Sequence, residues 1–238
     1  MKLDVLAIGA HPDDVELSCA GTLVRLVRQG RHVGILDLTA GELGTRGSRE
    51  IRLQEARSAA GIMGVHVREG LGIPDGNIMV NHENTRKVMS VIRQYRPDTL
   101  LFPYPIDRHP DHEHAHRLCK EAWFYAGLEK IETSFGGEKQ KSFRPGRYFL
   151  YMQWHEFTPS FIMDITDEFE LKMAAVKTFQ SQFHNPASTE SETVLSDPEF
   201  LVFLRTRAEY YGDRIGKKYG EPFFSPRIPG VRDLDSIL

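Results

Sequence analysis

Short apolar runs alternate with amphipathic helical segments along the first half of the chain, and this alternation restricts the fold more than any other feature. Each apolar run has the length of a buried strand, and each segment between runs has the apolar spacing of a helix. Repeated strand–helix–strand units form parallel sheets with helices on both faces. The predicted strands are residues 3–8, 32–39, 65–71 and 99–102, and the predicted helices are residues 15–29, 48–63, 81–95 and 110–125.

The second half of the chain is less regular. Residues 133–146 have the composition of a polar loop, and the tail from Pro222 is expected to be irregular. No repeat and no linker divides the chain, so we expect one domain over residues 1–238. The predicted fold is a Rossmann-like α/β fold with a mostly parallel sheet and a smaller C-terminal α/β extension. In that extension we expect strands at residues 148–153 and 161–165, paired like a hairpin, and helices at residues 167–179 and 198–215.

Composition excludes several classes of protein. The 238 residues carry a net charge of −3, whereas a nucleic-acid-binding domain has a basic excess, so no nucleic-acid partner is expected. No apolar run reaches the roughly 18 residues that suggest a membrane span. No signal-peptide pattern follows Met1. We therefore expect a cytoplasmic protein that does not bind membranes. Residues 184–197 (HNPASTESETVLSD) have the composition of a surface loop, and nothing in them decides whether they form a lid.

Histidine and aspartate side chains directly follow two of the predicted strands. His11, Asp13 and Asp14 come after the first strand, and a second cluster at residues 107–112 follows the strand at residues 99–102. The carboxyl ends of parallel strands meet at one edge of a sheet, and ligands bind there. We therefore expect the two clusters to lie close together in the fold.

The residue types in these clusters favour a metal ion. Zinc binds imidazole and carboxylate groups, and a catalytic zinc has three protein ligands and a water. His11 and Asp14 are three residues apart across a strand-to-helix turn, which is close enough for both to bind one ion. The third ligand would come from residues 109–112. Spacing alone does not decide between His109 and His112.

Four motifs occur in a specific order along the chain. They are AHPDDVE at residues 10–16 with GTL at 21–23, LTAGELGT at 38–45, Arg52 with Glu55, and HPDH at 109–112. This order and spacing resembles that of the LmbE/PIG-L-like deacetylases. A further segment, RIGKKYGEPF at residues 214–223, is similar to the tail of the subgroup that deacetylates N-acetylglucosaminyl-malate in bacillithiol synthesis.

The resemblance implies zinc-dependent hydrolysis of an N-acetylglucosamine amide on a Rossmann-like fold. Zn²⁺ is the implied cofactor, although another divalent ion could replace it in the cell. Related enzymes are often homo-oligomers, so we expect one here. The residues that match the family's site are His11, Asp14 and His112 as zinc ligands, Asp13 as the general base, His109 as a second catalytic residue near the carbonyl oxygen, and Arg52 as a substrate-binding arginine.

Two of these positions carry further hypotheses. Asp111 could orient a ligand histidine by hydrogen bonding without binding the metal itself. Alternatively, it could be a carboxylate in the first turn of a helix, where the helix dipole favours negative charge. Arg52 could pair bidentately with a substrate carboxylate. A carboxylate on the substrate would agree with a malate conjugate.

Three interpretations of the function stay open at this stage. The first is deacetylation of N-acetylglucosaminyl-malate. The second is the same chemistry on another N-acetyl amino sugar, such as a mycothiol precursor or an acetylated disaccharide. The third is a non-catalytic sugar-binding module. Retention of the presumed ligands together with Asp13 argues against the third, since a degenerate site has no need of an unpaired carboxylate beside a metal.

Overall fold

A computed structural model describes residues 1–231 and residue 233, and a seven-stranded mixed sheet forms its centre. The strands are β1 (Val5–Gly9), β2 (Val33–Asp37), β3 (Val67–Gly70), β4 (Thr99–Pro103), β5 (Ser134–Phe135), β6 (Glu138–Lys139), β7 (Arg147–Tyr151), β8 (Phe161–Asp164) and β9 (Gly220–Phe224). The helices are α1 (Asp14–Arg28), α2 (Arg49–Met63), α3 (His82–Tyr95), α4 (Pro110–Tyr125), α5 (Phe169–Val176) and α6 (Phe200–Asp213).

The strand order in the large sheet is β3-β2-β1-β4-β7-β9-β8. Strands β3, β2, β1, β4 and β7 are parallel to their neighbours, and β9 is antiparallel to both β7 and β8. The chain leaves β1 toward β2 on one side, while β4 lies on the other side. Such a reversal opens a crevice at the carboxyl ends of the strands. The predicted α/β fold with a mostly parallel sheet is confirmed.

An apolar core lies on each face of the sheet. In β1, Val5 and Ala7 pack into one core and Leu6 and Ile8 into the other, as the alternation of side chains along a strand requires. The first core also contains side chains of α1, α2, α5 and α6, and the second contains side chains of α3 and α4. Helices therefore cover both faces, and every residue of β1 is buried. No helix among the described residues is long and apolar enough to cross a membrane.

The predicted hairpin between the strands at residues 148–153 and 161–165 is wrong. Strand β9 lies between β7 and β8 and pairs with both. The tail from Pro222 was expected to be irregular, but Pro222 is inside β9 and aligns with Ile162 of β8. The ladder between β9 and β7 involves only Phe223 and Phe224 of β9, so the proline, which lacks an N–H, lies outside it.

The predicted polar loop at residues 133–146 contains a small hairpin. Strands β5 and β6 pair in antiparallel fashion across Gly136 and Gly137, which both have positive φ angles. Two adjacent glycines are suited to such a tight turn because they have no Cβ. This hairpin is separate from the large sheet and from the carboxyl ends of its central strands.

The buried carboxylate of Glu221 connects the last strand to the first helix. Helix α1 is interrupted at Cys19, whose φ of −138° is not helical. The carboxylate of Glu221 in β9 accepts hydrogen bonds from the backbone N–H groups of Gly21 and Thr22, at 3.0 and 2.7 Å, and so caps the second part of the helix. Lys172 of α5 contacts the same carboxylate at 2.6 Å. Strand β9 thus holds α1, the helix that follows β1, in place.

Candidate active site

The turn from β1 to α1 places three polar side chains at the crevice. The backbone N–H of His11 donates to Asp14 Oδ2 at 2.9 Å, and this bond closes the turn. Asp13 precedes the helix with φ 107°, a left-handed conformation that is costly for a residue with a Cβ. Its side chain makes no capping hydrogen bond to the helix. The Asp13 side chain lines the crevice instead.

The start of α4 brings the second cluster to the same place. His109 precedes the helix, and its Nδ1 accepts a hydrogen bond from the backbone N–H of Asp111 at 3.2 Å. Pro110 occupies the first turn, where its missing N–H leaves no bond unmade. His112 follows in the same turn, beside the turn that carries His11. The two clusters do converge, as their positions after adjacent parallel strands predicted.

Two sets of side chains are close enough to hold a metal ion. Candidate ligand atoms of His11, Asp14 and His112 lie within 4.8 Å of one another, and the set of His11, His109 and Asp111 meets the same limit. In the first set, Asp14 Oδ2 is 3.6 Å from Nδ1 of His11, and Asp14 Oδ1 is 3.2 Å from Nε2 of His112. One carboxylate therefore faces both imidazoles.

The far nitrogen of each histidine in the first set contacts a carboxylate. His11 Nε2 is 3.0 Å from Asp75 Oδ1 and 3.4 Å from Asp111 Oδ2. His112 Nδ1 is 2.9 Å from Asp107 Oδ1. Metal-binding histidines usually have such a carboxylate behind them, which fixes the ring and raises its basicity. This arrangement favours the set of His11, Asp14 and His112.

Three of these surrounding residues were missed in the sequence. Asp107 belongs to the second cluster but had no assigned role, and only its 2.9 Å contact with His112 reveals one. Asp75 lies in the turn after β3. Gln153 follows β7, and its Nε2 donates to Asp14 Oδ1 at 2.8 Å while lying 3.2 Å from His112 Nε2. The position of Gln153 after a parallel strand was the available signal, but its strand was assigned to a hairpin.

The electrostatics of the cluster favour positive charge. Burial lowers the pKa of His112, but the carboxylates of Asp14 and Asp107 outweigh it and raise the pKa to about 9. Burial likewise opposes protonation of His11, and the surrounding carboxylates still hold its pKa well above the usual value. Burial raises the pKa of Asp14, but the neighbouring His112 holds it well below its usual range. A divalent cation fits this environment and would displace the protons.

Asp13 and Arg52 form a buried pair beside the cluster. Arg52 Nη2 donates to Asp13 Oδ2 at 3.0 Å and to the carbonyl of Pro12 at 2.5 Å, and its Nη1 donates to the carbonyl of Gly41 at 3.1 Å. A Cβ on Gly41 would lie 2.0 Å from Arg52 Nη1, so only glycine permits this approach. Burial raises the pKa of Asp13 to about 7, although the guanidinium favours the ionised form.

His109 presents a hydrogen-bond donor to the crevice. Burial and the nearby His11 and His112 lower its pKa, which favours the neutral ring. Because Nδ1 accepts the backbone N–H of Asp111, the ring proton of the neutral form belongs on Nε2. Asp111 itself accepts from the backbone N–H of Gly76 at 2.8 Å as well as contacting His11. Asp111 therefore occupies both positions considered for it, at the helix start and behind a histidine.

A cavity of about 450 Å³ opens above these groups. We call its polar base the floor and its apolar side the wall. The floor side chains are His11, Asp13, Asp14, His109 and His112. The wall side chains are Trp154, Leu195, Phe200, Phe203 and Leu204.

Part of the loop at residues 184–197 contributes to the cavity. Residues 193–195 line it. The loop is attached to the opposite segment by Glu190, which accepts the backbone N–H of Gly47 at 3.0 Å and lies 3.7 Å from Arg46 Nε. The surface loop expected from composition is thus also a border of the site.

Comparison with known proteins agrees with this site. Residues 6–123 match the family model described as PIG-L, GlcNAc-PI de-N-acetylase. The chain is 34% identical over 240 residues to diacetylchitobiose deacetylase of Thermococcus kodakarensis, covering 95% of this chain and 84% of that protein. The fold and the site define a metal-dependent amide hydrolase of the N-deacetylase class. The chain belongs to the PIG-L/LmbE family.

Two solved structures have the same fold over nearly the whole chain. The conserved protein TT1542 of Thermus thermophilus superposes with a TM-score of 0.86 at 37% identity, covering 96% of this chain and 97% of that one. N,N'-diacetylchitobiose deacetylase of Pyrococcus horikoshii, complexed with its inhibitor MPG, superposes with a TM-score of 0.77 at 28% identity. The superposition covers 92% of this chain and 82% of that one. The similarity extends well beyond the residues that match the family model.

Proposed function

We propose that this protein hydrolyses the acetamide of an N-acetylglucosamine conjugate with the help of zinc, releasing acetate and the free amine. The observation that carries the proposal is the cluster of His11, Asp14 and His112 with a buried carboxylate, Asp13, beside it. Amide hydrolysis needs a Lewis acid, a base for the attacking water and an acid for the departing amine. The floor contains residues suited to each of these tasks.

The donor set fits zinc. Two imidazoles and one carboxylate are a common ligand set of catalytic zinc, with one position left for water or substrate. Gln153 Nε2 lies 2.8 Å from Asp14 Oδ1 and 3.2 Å from His112 Nε2. The polar atoms of Asp14 and His112 therefore face a common point. When bound, zinc supplies a Lewis acid for the acetyl carbonyl and the attacking water.

Asp13 is the proposed general base. Its pKa of about 7 allows it to take a proton from the attacking water near neutral pH. The same carboxyl group then returns that proton to the amine nitrogen as the C–N bond breaks, so the proton balance closes. Arg52 holds one carboxylate oxygen at 3.0 Å and fixes the orientation of the base.

His109 is the proposed stabiliser of the carbonyl oxygen. Its Nε2 proton can be donated to the oxygen as negative charge develops there, because Nδ1 is occupied by the backbone of Asp111. A positioned donor of this kind is typically worth a few kcal/mol in the transition state. Asp111 and Asp75 have a separate task in the proposal, which is to hold the ring of His11.

The most specific form of the proposal is N-acetylglucosaminyl-malate as the substrate, in bacillithiol synthesis. Its support in the sequence is the tail at residues 214–223, but none of these residues lines the cavity. Glu221 in that tail is buried in the ion pair with Lys172. The tail therefore supports the fold and gives no contact that selects a substrate. Two of the relatives compared above are named for diacetylchitobiose, so an acetylated disaccharide is the second candidate.

The test is release of primary amine from a panel of acetylated conjugates. The panel contains N-acetylglucosaminyl-malate, N,N'-diacetylchitobiose, an N-acetylglucosaminyl-inositol and free N-acetylglucosamine. Zinc-loaded protein should release amine from at least one of them, and removal of metal with a chelator should abolish the release. The Asp13→Asn variant serves as the metal-containing inactive control. Binding of a conjugate without amine release from any of them would indicate a sugar-binding module and contradict the proposal.

A further inference from the structure

Three arginines line the cavity, and they differ in what their guanidinium groups contact. Arg52 is engaged by Asp13 and two backbone carbonyls. Arg207 donates to the backbone carbonyls of Gln153 and Leu17. Arg108 has no hydrogen-bond acceptor and no carboxylate within ion-pair distance among the described residues, although it faces the same cavity. Among the part of the chain that the structure describes, Arg108 is therefore the cavity arginine whose guanidinium makes no hydrogen bond.

Stacking holds Arg108 in place. The centre of its guanidinium lies 4.7 Å from the ring centroid of Trp154. Trp154 is fixed by its backbone N–H, which donates to Asp107 Oδ2 at 2.9 Å, and by the ring of Phe203, whose centroid is 5.7 Å away. A guanidinium stacked on an aromatic face keeps its N–H donors in its own plane, where they match the two oxygens of a carboxylate.

The acidic neighbour of Arg108 does not neutralise it. Asp107 precedes Arg108 in the chain, but its Oδ1 contacts His112 Nδ1 at 2.9 Å and accepts the backbone N–H of His109 at 3.1 Å. Its Oδ2 accepts the backbone N–H of Trp154. Asp107 is thus engaged by His112, His109 and Trp154, and no carboxylate of the described residues lies within ion-pair distance of Arg108.

We propose that Arg108 is the receptor for a carboxylate on the substrate, carried by the group attached to the acetylated sugar. The proposal rests on the function proposed above and identifies its specificity-determining residue. Arg108 adjoins His109 in the chain, so a sugar acetamide over the floor would place its attached group toward Arg108 and the wall. The sequence assigned a substrate carboxylate to Arg52, but the donors of that residue are largely used within the protein.

Equilibrium binding tests the receptor without depending on catalysis. The ligand is glucosaminyl-malate, the deacetylated product, titrated calorimetrically into zinc-loaded unmodified protein, Arg108→Gln and Arg214→Gln. Arg214 is the matched control, since it is exposed and stacks on Tyr210 at 5.6 Å outside the cavity. We expect roughly 10- to 100-fold weaker binding for Arg108→Gln, as for loss of charge-assisted hydrogen bonds, and no change for Arg214→Gln.

Kinetics separate recognition of the carboxylate from the reaction. The substrates are N-acetylglucosaminyl-malate and its dimethyl ester, in which both carboxylates are masked and carry no charge. Arg108→Gln should raise KM for the acid about 10-fold or more, with kcat maintained, and should leave the ester unaffected. Arg108→Lys should recover part of the loss, and Trp154→Leu, which retains the backbone bond to Asp107, should lose part of the preference for the acid.

Each contrary outcome has one meaning. Equal losses on acid and ester would overturn the receptor while amide hydrolysis stands, and so would a selective loss in Arg52→Lys but not in Arg108→Gln. Tighter binding of glucosamine 1-phosphate than of glucosaminyl-malate would assign the position to phosphate and overturn the carboxylate assignment. If no acetylated conjugate is turned over but Arg108→Gln still weakens binding of glucosaminyl-malate selectively, the proposed function fails and the receptor stands.

Discussion

The floor and the wall of the cavity are built on different principles. Floor side chains belong to turns that follow β1 and β4, and each is fixed by hydrogen bonds or close polar contacts within the protein. Wall side chains come from α6, from the loop at residues 193–195 and from the segment after β7, and they are mainly apolar. Two of them, Trp154 and Phe203, are each 40% exposed.

This difference assigns separate tasks to the two regions. A reaction needs groups that are held in place before the substrate arrives, and the floor has them. Selection among substrates needs only contact with the part that does not react, and exposed apolar side chains provide it. The family model matches residues 6–123, which include the whole floor and none of the wall. Changes in the floor should therefore affect every substrate, and changes in the wall should affect substrates differently.

The largest loss of activity is expected when a proposed metal ligand is replaced. His112→Ala should lose bound zinc and reduce amine release by about 10³-fold or more on all substrates, because the Lewis acid contributes several kcal/mol. Elemental analysis and kcat/KM measure the two effects. His82→Ala, an exposed histidine at the start of α3, is the control and should retain both. Full zinc occupancy in His112→Ala would reject the assigned ligand set.

The proposed general base should give the next effect. Asp13→Asn should bind zinc normally and lose about 10²- to 10⁴-fold in kcat, as expected when a positioned acid–base group is removed. The loss should be the same for acidic and neutral conjugates, since Asp13 belongs to the floor. Metal analysis and steady-state kinetics on two substrates provide the measurement. Near-normal turnover with zinc in place would move the base to another residue.

The buried ion pair between Lys172 of α5 and Glu221 of β9, which lies outside both regions, should affect stability. Lys172→Met leaves the buried Glu221 without its cation, and such a change costs about 3–5 kcal/mol in the free energy of unfolding. Urea denaturation measures it, with Lys177→Met, an exposed lysine directly after α5, as the control. The double variant with Glu221→Met should recover part of the loss. A cost below about 1 kcal/mol would mean that the ion pair between Lys172 and Glu221 is not important for folding.

The carboxylate behind His112 should have a smaller, specific effect. Asp107→Asn should weaken zinc binding by about 10- to 100-fold, because it no longer orients the ring as a carboxylate does. Competition with a chromogenic chelator gives the affinity. Asp98→Asn removes an exposed carboxylate paired with Lys2 and should leave zinc affinity unchanged. Equal zinc affinities in the unmodified protein, Asp107→Asn and Asp98→Asn would show that Asp107 does not support metal binding.

The smallest effect is expected in the wall. Phe203→Ala should change KM by roughly 10-fold at most for conjugates with a large attached group, since a partly exposed ring contributes about 1–2 kcal/mol when covered. It should leave zinc content and turnover of free N-acetylglucosamine unchanged. Val202→Ala, on the same helix but outside the cavity, is the control. A uniform loss on all substrates would contradict the division between floor and wall.

Much of the fold was predictable because it depends on local patterns. Apolar runs and helical spacing correctly indicated the parallel strands β1 to β4 and the helices α1 to α4 between them. The convergence of the His11 and His109 clusters also followed, since both come directly after parallel strands. Polar partners from distant segments were not predictable in this way. Asp75 is 64 residues from His11 in the chain, and Gln153 is 139 residues from Asp14.

The sequence by itself determined the β-α-β alternation, the family and the residues that follow β1 and β4. These depend on side-chain periodicity and on motifs of adjacent residues, which act over short distances along the chain. The tertiary structure alone decided that β9 enters between β7 and β8, that Arg52 is paired with Asp13 and that Arg108 stacks on Trp154. Those features depend on which distant segments pack together, and packing is set by the whole fold and not by any one motif.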